Sequence, residues 1–253
     1  MIRLLCYGLF FGCYSLALAY DILYIPAGDG LHWFHKLKFL TIINMVLQFL
    51  YYGACFARAV VDFFAEKPDR GPHTAHPSAP SYYSTSNLHS FCDYLYTRLA
   101  FPLSQLVVLL FWGLYAIDRE LIYPEYLDKI IPSWVNHVMH TAPLPFILID
   151  SLLICHKYPP RWDGVRSVVG YGILYEISLL GWYLVEDEWA YPILAYFDNV
   201  QRSLFFVGVM VFLIILYLIG DGFNAIIWGT ASHPPAGAAP ATKPKKIAKR
   251  KEQ

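Results

Sequence analysis

The chain has 253 residues, of which 57% are hydrophobic and 15% are charged, and its formal net charge is zero. Soluble domains carry about 25% charged residues, so this composition argues against an ordinary soluble protein. A net charge of zero gives no indication of a nucleic-acid partner, which a basic balance would suggest. The five cysteines form no CxxC pair and are odd in number, which argues against a disulfide framework.

Six apolar blocks follow one another, and each is long enough to cross about 30 Å of hydrocarbon as a helix. They cover residues 3–20, 38–64, 99–117, 138–155, 167–185 and 203–228. We therefore predict an all-α fold, a polytopic transmembrane helix bundle of six spans, in a domain covering residues 1–230. The first block also resembles a cleavable signal peptide, since an apolar run separates Arg3 from Ala17-Leu18-Ala19. In that alternative residues 1–19 are removed and five spans remain.

Lysine and arginine are concentrated in alternate connectors and in the tail. Because basic residues stay on the cytosolic side, this distribution predicts that both termini are cytosolic. The Pro-rich segment 65–86 is expected to be a flexible cytosolic loop, and residues 231–253 a disordered basic cytosolic tail. Lys249 and Lys251 have the spacing of a dilysine retrieval signal, with a solvated charge run as the alternative. The expected location is therefore the endoplasmic reticulum or the plasma membrane.

Polar side chains inside a predicted span are costly, so each is a candidate for function. Thr41 lies near the outer end of the second span, and Asn44 and Gln48 share its helix face. A threonine in a span most often bonds a carbonyl of its own helix, so these residues alone favour a structural role for Thr41. The shared face must nevertheless contact protein or water rather than lipid.

Two histidines share a face where the fourth span begins, at His137 and His140. Imidazole exchanges a proton near neutral pH, so His140 could serve as a general base, with an interfacial role as the alternative. The predicted orientation places Thr41 and His140 at the same level of the membrane. A weak nucleophile and a base at one level are what base-assisted acyl transfer requires.

Charged residues close the third span at a similar level. Arg119 could hold a substrate carboxylate and Asp118 could orient an imidazole, whereas the alternative is an interfacial anchor with a local ion pair. Asp150 cannot be the direct orienting partner of His140, because it lies about 15 Å further along the helix.

Two other functional classes stay open. Four histidines on the outer side could bind a metal ion, although no HExxH motif occurs; they are His32, His35, His137 and His140. The polar residues within six spans would also suit a small transporter or a scaffold. Against the transporter, the sequence shows no paired broken helices or inverted halves.

Several segments, in order and at suitable distances, resemble the androgen-induced protein / ADTRP family. They are KFLT at 38–41, YAIDRELIYP at 115–124, PSWVNHVMHT at 132–141, LPFILI at 144–149, WAYP at 189–192 and LYLIG at 216–220. The resemblance extends from about residue 35 to about residue 230. It excludes the loop after the second span and the C-terminal tail.

This resemblance implies a multi-span threonine hydrolase that cleaves fatty acid esters of hydroxy fatty acids. It assigns the nucleophile to Thr41 and the general base to His140, without a cofactor or a metal. We expect Asn44 and Asn136 as oxyanion donors and His137 as a further contact. The expected partners are the membrane and a lipid substrate whose long acyl chains run between spans. Protein partners, and the third catalytic residue, are left open.

Overall fold

The computed structural model describes residues 1–27, 32–64 and 87–229. Within these ranges the chain is helical and has no β-strand, which confirms the all-α prediction. The loop expected at 65–86 and the basic tail expected at 231–253 lie outside the described residues.

Nine α-helices are present in the described part of the chain. Their bounds are α1 Ile2–Tyr24, α2 Leu40–Phe64, α3 Asn87–Leu95, α4 Phe101–Ile117, α5 Ser133–His140, α6 Pro143–Leu153, α7 Arg161–Glu186, α8 Pro192–Tyr196 and α9 Asn199–Trp228. A π-helical stretch, Tyr96–Ala100, connects α3 to α4 without a break. Short 3-10 turns lie at Trp33–Lys38, Arg119–Leu121 and Glu125–Lys129.

Five helices are long and apolar enough to cross a membrane: α1, α2, α7, α9 and the continuous rod Asn87–Ile117. The sequence predicts a sixth, unbroken span at 138–155, but the structure has two shorter helices there, α5 and α6. Pro143 accounts for the break, because it has no N–H and its ring would clash with the carbonyl four residues earlier. At this break the amides of Thr141 and Ala142 both donate to the backbone oxygen of His137.

An aromatic layer joins α1 to the rest of the bundle. The ring of Phe10 stacks on Phe146 of α6 with centroids 4.1 Å apart, and Tyr14 is fully buried beside it. Gly53 faces the ring of Phe11, where an added Cβ would lie 3.0 Å from the ring edge. Small residues of this kind let membrane helices approach closely. Removal of residues 1–19 would take Phe10 and Tyr14 out of this core.

A polar network crosses the bundle at the end opposite to Thr41. Asp150 of α6 accepts hydrogen bonds from the hydroxyls of Tyr7 and Tyr51. His156, just after α6, places its Nδ1 3.1 Å from a carboxylate oxygen of Asp93. Buried polar groups at membrane depth need such partners, so this network ties α1, α2, α3 and α6 together.

Candidate active site

The side chain of Thr41 lies in the first turn of α2 and contacts a histidine from a different helix. Its Oγ1 is 3.2 Å from Nε2 of His140, the last residue of α5. The two residues are 99 positions apart in the chain, so only the packing of α2 against α5 brings them together. A hydroxyl within hydrogen-bond reach of an unprotonated imidazole nitrogen is the arrangement of an activated nucleophile.

The protonation of the His140 ring follows from the partners of its other nitrogen. Nδ1 lies 2.7 Å from Oδ1 of Asn136 and 3.2 Å from the backbone oxygen of the same residue. A backbone carbonyl can only accept a hydrogen bond, so Nδ1 carries the proton and donates it. Nε2 is then the acceptor, and the hydroxyl of Thr41 donates to it.

Two aromatic residues of α4 hold the histidine in place. Phe111 stacks on the imidazole with a centroid distance of 3.6 Å and an interplanar angle of 11°. Trp112 donates from Nε1 to the backbone oxygen of His140 at 2.8 Å. The hydrogen bond from Trp112 satisfies a carbonyl that the break at Pro143 leaves at the end of α5, because the carbonyls of a last helical turn have no partner within their own helix.

Two tyrosine hydroxyls support the start of α2 next to Thr41. The amide of Leu40 donates to the hydroxyl of Tyr191 at 2.7 Å, and the hydroxyl of Tyr175 donates to the backbone oxygen of Lys38 at 3.0 Å. The two hydroxyls are themselves 3.0 Å apart. Burial raises the pKa of the Tyr191 hydroxyl, which therefore stays protonated and able to donate.

An apolar cavity of about 390 Å³ opens in front of Thr41, between α2, α4, α7 and α9. Thr41, Phe111 and Tyr191 line one end of it, while His140 is buried behind them. Its volume lies in the usual range of small-molecule sites, about 300–1,000 Å³. The arrangement can therefore present an apolar ligand to the Thr41 hydroxyl while the base stays out of contact with solvent.

The charged residues predicted at the end of α4 do not join this site. Asp118 is exposed and accepts a hydrogen bond from the amide of Glu120, whereas the side-chain oxygen of Asn136 lies 2.7 Å from Nδ1 of His140. Arg119 pairs with Asp128 at 2.7 Å and does not line the cavity. The Arg119 guanidinium also lies over the rings of Tyr115 and Tyr123, 5.4 and 5.7 Å from their centroids, so its contacts lie outside the cavity.

The polar candidates near the two key residues also have other contacts. Asn44 is buried, and its side-chain oxygen accepts from Gln48 at 3.0 Å. His137 is exposed, with Nδ1 3.0 Å from Oγ1 of Thr141. Asn136, expected as an oxyanion donor, has its side-chain oxygen on His140. None of these three residues lines the cavity described above.

The four-histidine alternative gains no support from the described residues. They contain no group of three or more His, Cys, Asp or Glu side chains placed to hold one metal ion. His35 lies 3.4 Å from Glu186, and His32 is exposed. His140 makes its contacts with Thr41 and Asn136 instead of with another histidine.

Reasoning from the sequence overlooked Phe111, Trp112, Tyr175 and Tyr191. In an apolar run, aromatic residues have the pattern of ordinary core positions, so no local signal separates the two that contact His140. Tyr191 lies in a segment that carries the family resemblance, and this was the one available signal. Its contact with Leu40 spans 151 positions and depends on the fold.

Comparisons with known proteins agree on one family. The family model described as FAR-17a/AIG1-like protein matches residues 4–225. The chain is 36% identical to the androgen-induced gene 1 protein of Homo sapiens over 193 residues, 76% of this chain and 78% of the relative. It is 32% identical to the androgen-dependent TFPI-regulating protein of Homo sapiens over 206 residues, 81% of each chain. No solved structure matches the chain at a significant level.

Proposed function

Because the chain belongs to the FAR-17a/AIG1-like family, we propose that it is a membrane-embedded hydrolase of fatty acid esters of hydroxy fatty acids. Thr41 is the nucleophile and His140 the general base, and no cofactor takes part. The single observation that carries the proposal is the 3.2 Å contact between Thr41 Oγ1 and His140 Nε2 at the end of an apolar cavity.

In the first step the Thr41 oxygen attacks the ester carbonyl carbon, and its proton moves to Nε2 of His140. The tetrahedral intermediate then releases the hydroxy fatty acid: the bond from carbon to the leaving oxygen breaks, and that oxygen takes the proton from Nε2. The acyl group is left on Thr41. Asn136 keeps the proton on Nδ1 throughout, so Nε2 alone exchanges protons.

In the second step water attacks the acyl-threonine while His140 Nε2 takes a proton from it. The carbonyl carbon separates from the Thr41 oxygen, which receives that proton, and the fatty acid leaves. Both intermediates carry a negative oxygen. In the first turn of α2 the amides of Ile42 and Ile43 donate to the backbone oxygen of Phe39, so the amide of Thr41, at the positive end of the helix dipole, is the proposed donor to this oxygen. Thr41 lines the cavity and Asn44 does not, so the Thr41 amide is better placed as a donor than Asn44.

The cavity supports a long-chain substrate. Its lining is almost entirely aliphatic and aromatic, and it runs between helices that are long enough to cross a bilayer. An acyl chain drawn from the membrane would exchange one apolar environment for another, so substrate entry needs little desolvation. We propose residence in the endoplasmic reticulum or the plasma membrane, with the bilayer as the source of the ester.

The decisive experiment measures release of hydroxy fatty acid from a palmitate ester by purified protein in lipid nanodiscs. Wild type should be active, and both Thr41→Ala and His140→Ala should be inactive while remaining folded. A fluorophosphonate probe should label wild type on Thr41, as located by mass spectrometry. Hydrolysis that persists in Thr41→Ala, or a folded wild type without activity and without labelling, would refute the proposal.

A further inference from the structure

The cavity in front of Thr41 extends along the bundle to a cationic side chain at its other end. Arg98 lines that end. The helical rod Asn87–Ile117 runs along the cavity from Arg98 to Phe111, which lines the Thr41 end and stacks on His140. With a helical rise of about 1.5 Å per residue, the two ends lie roughly 20 Å apart. This length is about two thirds of the hydrocarbon thickness of a bilayer, about 30 Å.

Arg98 differs from the neighbouring arginines in having no carboxylate partner within 4 Å among the residues that the structure describes. Its Nε donates to the hydroxyl of Ser167 at 3.3 Å, and its guanidinium lies over the ring of Tyr94 at 4.4 Å. By contrast, Arg161 pairs with Asp221 at 3.2 Å. A half-buried arginine at the end of an apolar cavity gains from an anion, because a hydrogen bond between two charged groups is roughly twice as strong as one between neutral groups.

Glu176 is the other charged residue among the described residues that line the cavity, and it does not serve as the anionic partner of Arg98. It follows Tyr175, whose hydroxyl bonds the backbone of Lys38 near Thr41. Ser167, the partner of Arg98, lies roughly 13 Å further down α7 at about 1.5 Å per residue. Glu176 therefore belongs to the reactive end, and the end at Arg98 has an unmatched positive charge among the described lining residues.

We propose that Arg98 binds the free carboxylate of the substrate, with the long apolar arm between the carboxylate and the ester lying in the cavity. This inference rests on the proposed function and makes Arg98 a residue that determines specificity. It replaces Arg119, whose guanidinium pairs with Asp128 outside the cavity. The enzyme then prefers esters that carry a carboxylate at the far end of a long chain over neutral esters of the same length.

The test uses one ester of palmitic acid with a hydroxy fatty acid, once as the free acid and once as its methyl ester. In wild type, the free acid should have the lower KM. Arg98→Gln should raise the KM for the free acid roughly tenfold or more, as loss of a charged hydrogen bond does, and leave the methyl ester unchanged. Arg98→Lys should keep part of the preference, because it retains the charge but loses the bidentate geometry.

Arg166→Gln is the matched control, because Arg166 is an exposed arginine of α7 that pairs with Asp163 and does not line the cavity. It should leave both KM values at the wild-type level. If Arg98→Gln slows the free acid and the methyl ester equally, or if wild type does not distinguish them, the carboxylate proposal is overturned.

A binding measurement separates this inference from the proposed function. Thr41→Ala protein is titrated with palmitate and with methyl palmitate, and binding is followed by thermal stabilisation. Palmitate should stabilise it more, and Thr41→Ala/Arg98→Gln should lose that difference. If no variant hydrolyses esters but this binding difference holds, the hydrolase proposal fails and the anion site stands. If hydrolysis occurs but palmitate binding ignores Arg98, the site fails and the hydrolase proposal stands.

Discussion

The Nδ1 atom of His140 lies 2.7 Å from the side-chain oxygen of Asn136, one turn earlier in the same helix. The proposed base is thus oriented by a neutral amide instead of a carboxylate, as in enzymes that combine a nucleophile, a histidine and an asparagine. Because the pair is local to α5, the helix itself determines which ring nitrogen carries the proton. Only Nε2 has to find its partner, Thr41, through tertiary packing.

Substitutions of Thr41 should separate the hydroxyl from the shape of the side chain. Thr41→Val keeps the branched shape but has no hydroxyl, so ester hydrolysis should fall by roughly 10³-fold or more, as for loss of other nucleophiles. Thr41→Ser should retain measurable activity, because it keeps a hydroxyl beside His140. Product release is measured by mass spectrometry. A Thr41→Val enzyme with near wild-type rates would remove Thr41 from the mechanism.

Asn136 should act as a positioning residue, with an effect on kcat and not on KM. Asn136→Leu removes the side-chain acceptor but leaves the backbone oxygen of residue 136, also near Nδ1, so kcat should fall by roughly 3- to 10-fold, the equivalent of one hydrogen bond. Asn136→Asp restores an acceptor and should recover activity. Steady-state kinetics with a soluble ester distinguishes the two parameters. Equal losses in both variants would indicate that Asn136 has a packing role only.

Trp112 should contribute to stability through its bond to the carbonyl of His140. Trp112→Phe leaves that buried carbonyl without its donor, which costs about 1–3 kcal/mol of unfolding free energy. Trp162→Phe is a suitable control, since Trp162 is 73% exposed. Thermal unfolding in detergent should show a lower Tm for Trp112→Phe alone. A Tm equal to that of the control would show that the carbonyl finds another partner.

Lys36 and Asp21 form a buried ion pair at the Thr41 end of the bundle. Their Nζ and Oδ2 atoms are 3.0 Å apart, and Trp33 also donates to the same carboxylate oxygen at 2.7 Å. Lys36→Met leaves a buried carboxylate without its cation and should cost about 3–5 kcal/mol of stability. Asp21→Asn added to Lys36→Met should recover part of that loss, because it removes the stranded charge. Denaturant unfolding compares the wild type, Lys36→Met and the double variant, and a double variant no more stable than Lys36→Met would rule out the pairing.

Two glycines of α9 should respond in opposite ways to alanine. At Gly220 an added Cβ would lie 2.5 Å from ring atoms of Phe101 and 2.6 Å from the hydroxyl of Tyr158, both buried, so overpacking should cost about 1–3 kcal/mol. At Gly222 an added Cβ meets nothing within 4 Å, so alanine should stabilise the helix by about 0.5–1 kcal/mol. Paired Tm measurements test the difference. A Tm increase for Gly220→Ala would contradict the close packing.

The lengths of the apolar runs were enough to predict the helical class and most of the spans. The second and sixth blocks agree closely with α2 and α9, and the fifth lies inside the longer α7, because a run of apolar side chains must be buried in lipid or protein. The fourth block was the exception. Hydropathy treats Pro143 as a neutral residue, whereas its missing N–H divides the block into α5 and α6.

Counting spans from the sequence also placed Thr41 and His140 at one end of the bundle, because consecutive spans must alternate in direction. Depth along a helix axis is a local property of the chain, so it could be predicted. The rotation of each helix about its own axis, and the neighbour it meets, depend on how all the helices pack. Tertiary structure alone therefore put Nε2 of His140 on Thr41 and brought Arg98 to the far end of the cavity, and it left Arg119 paired with Asp128 outside the cavity.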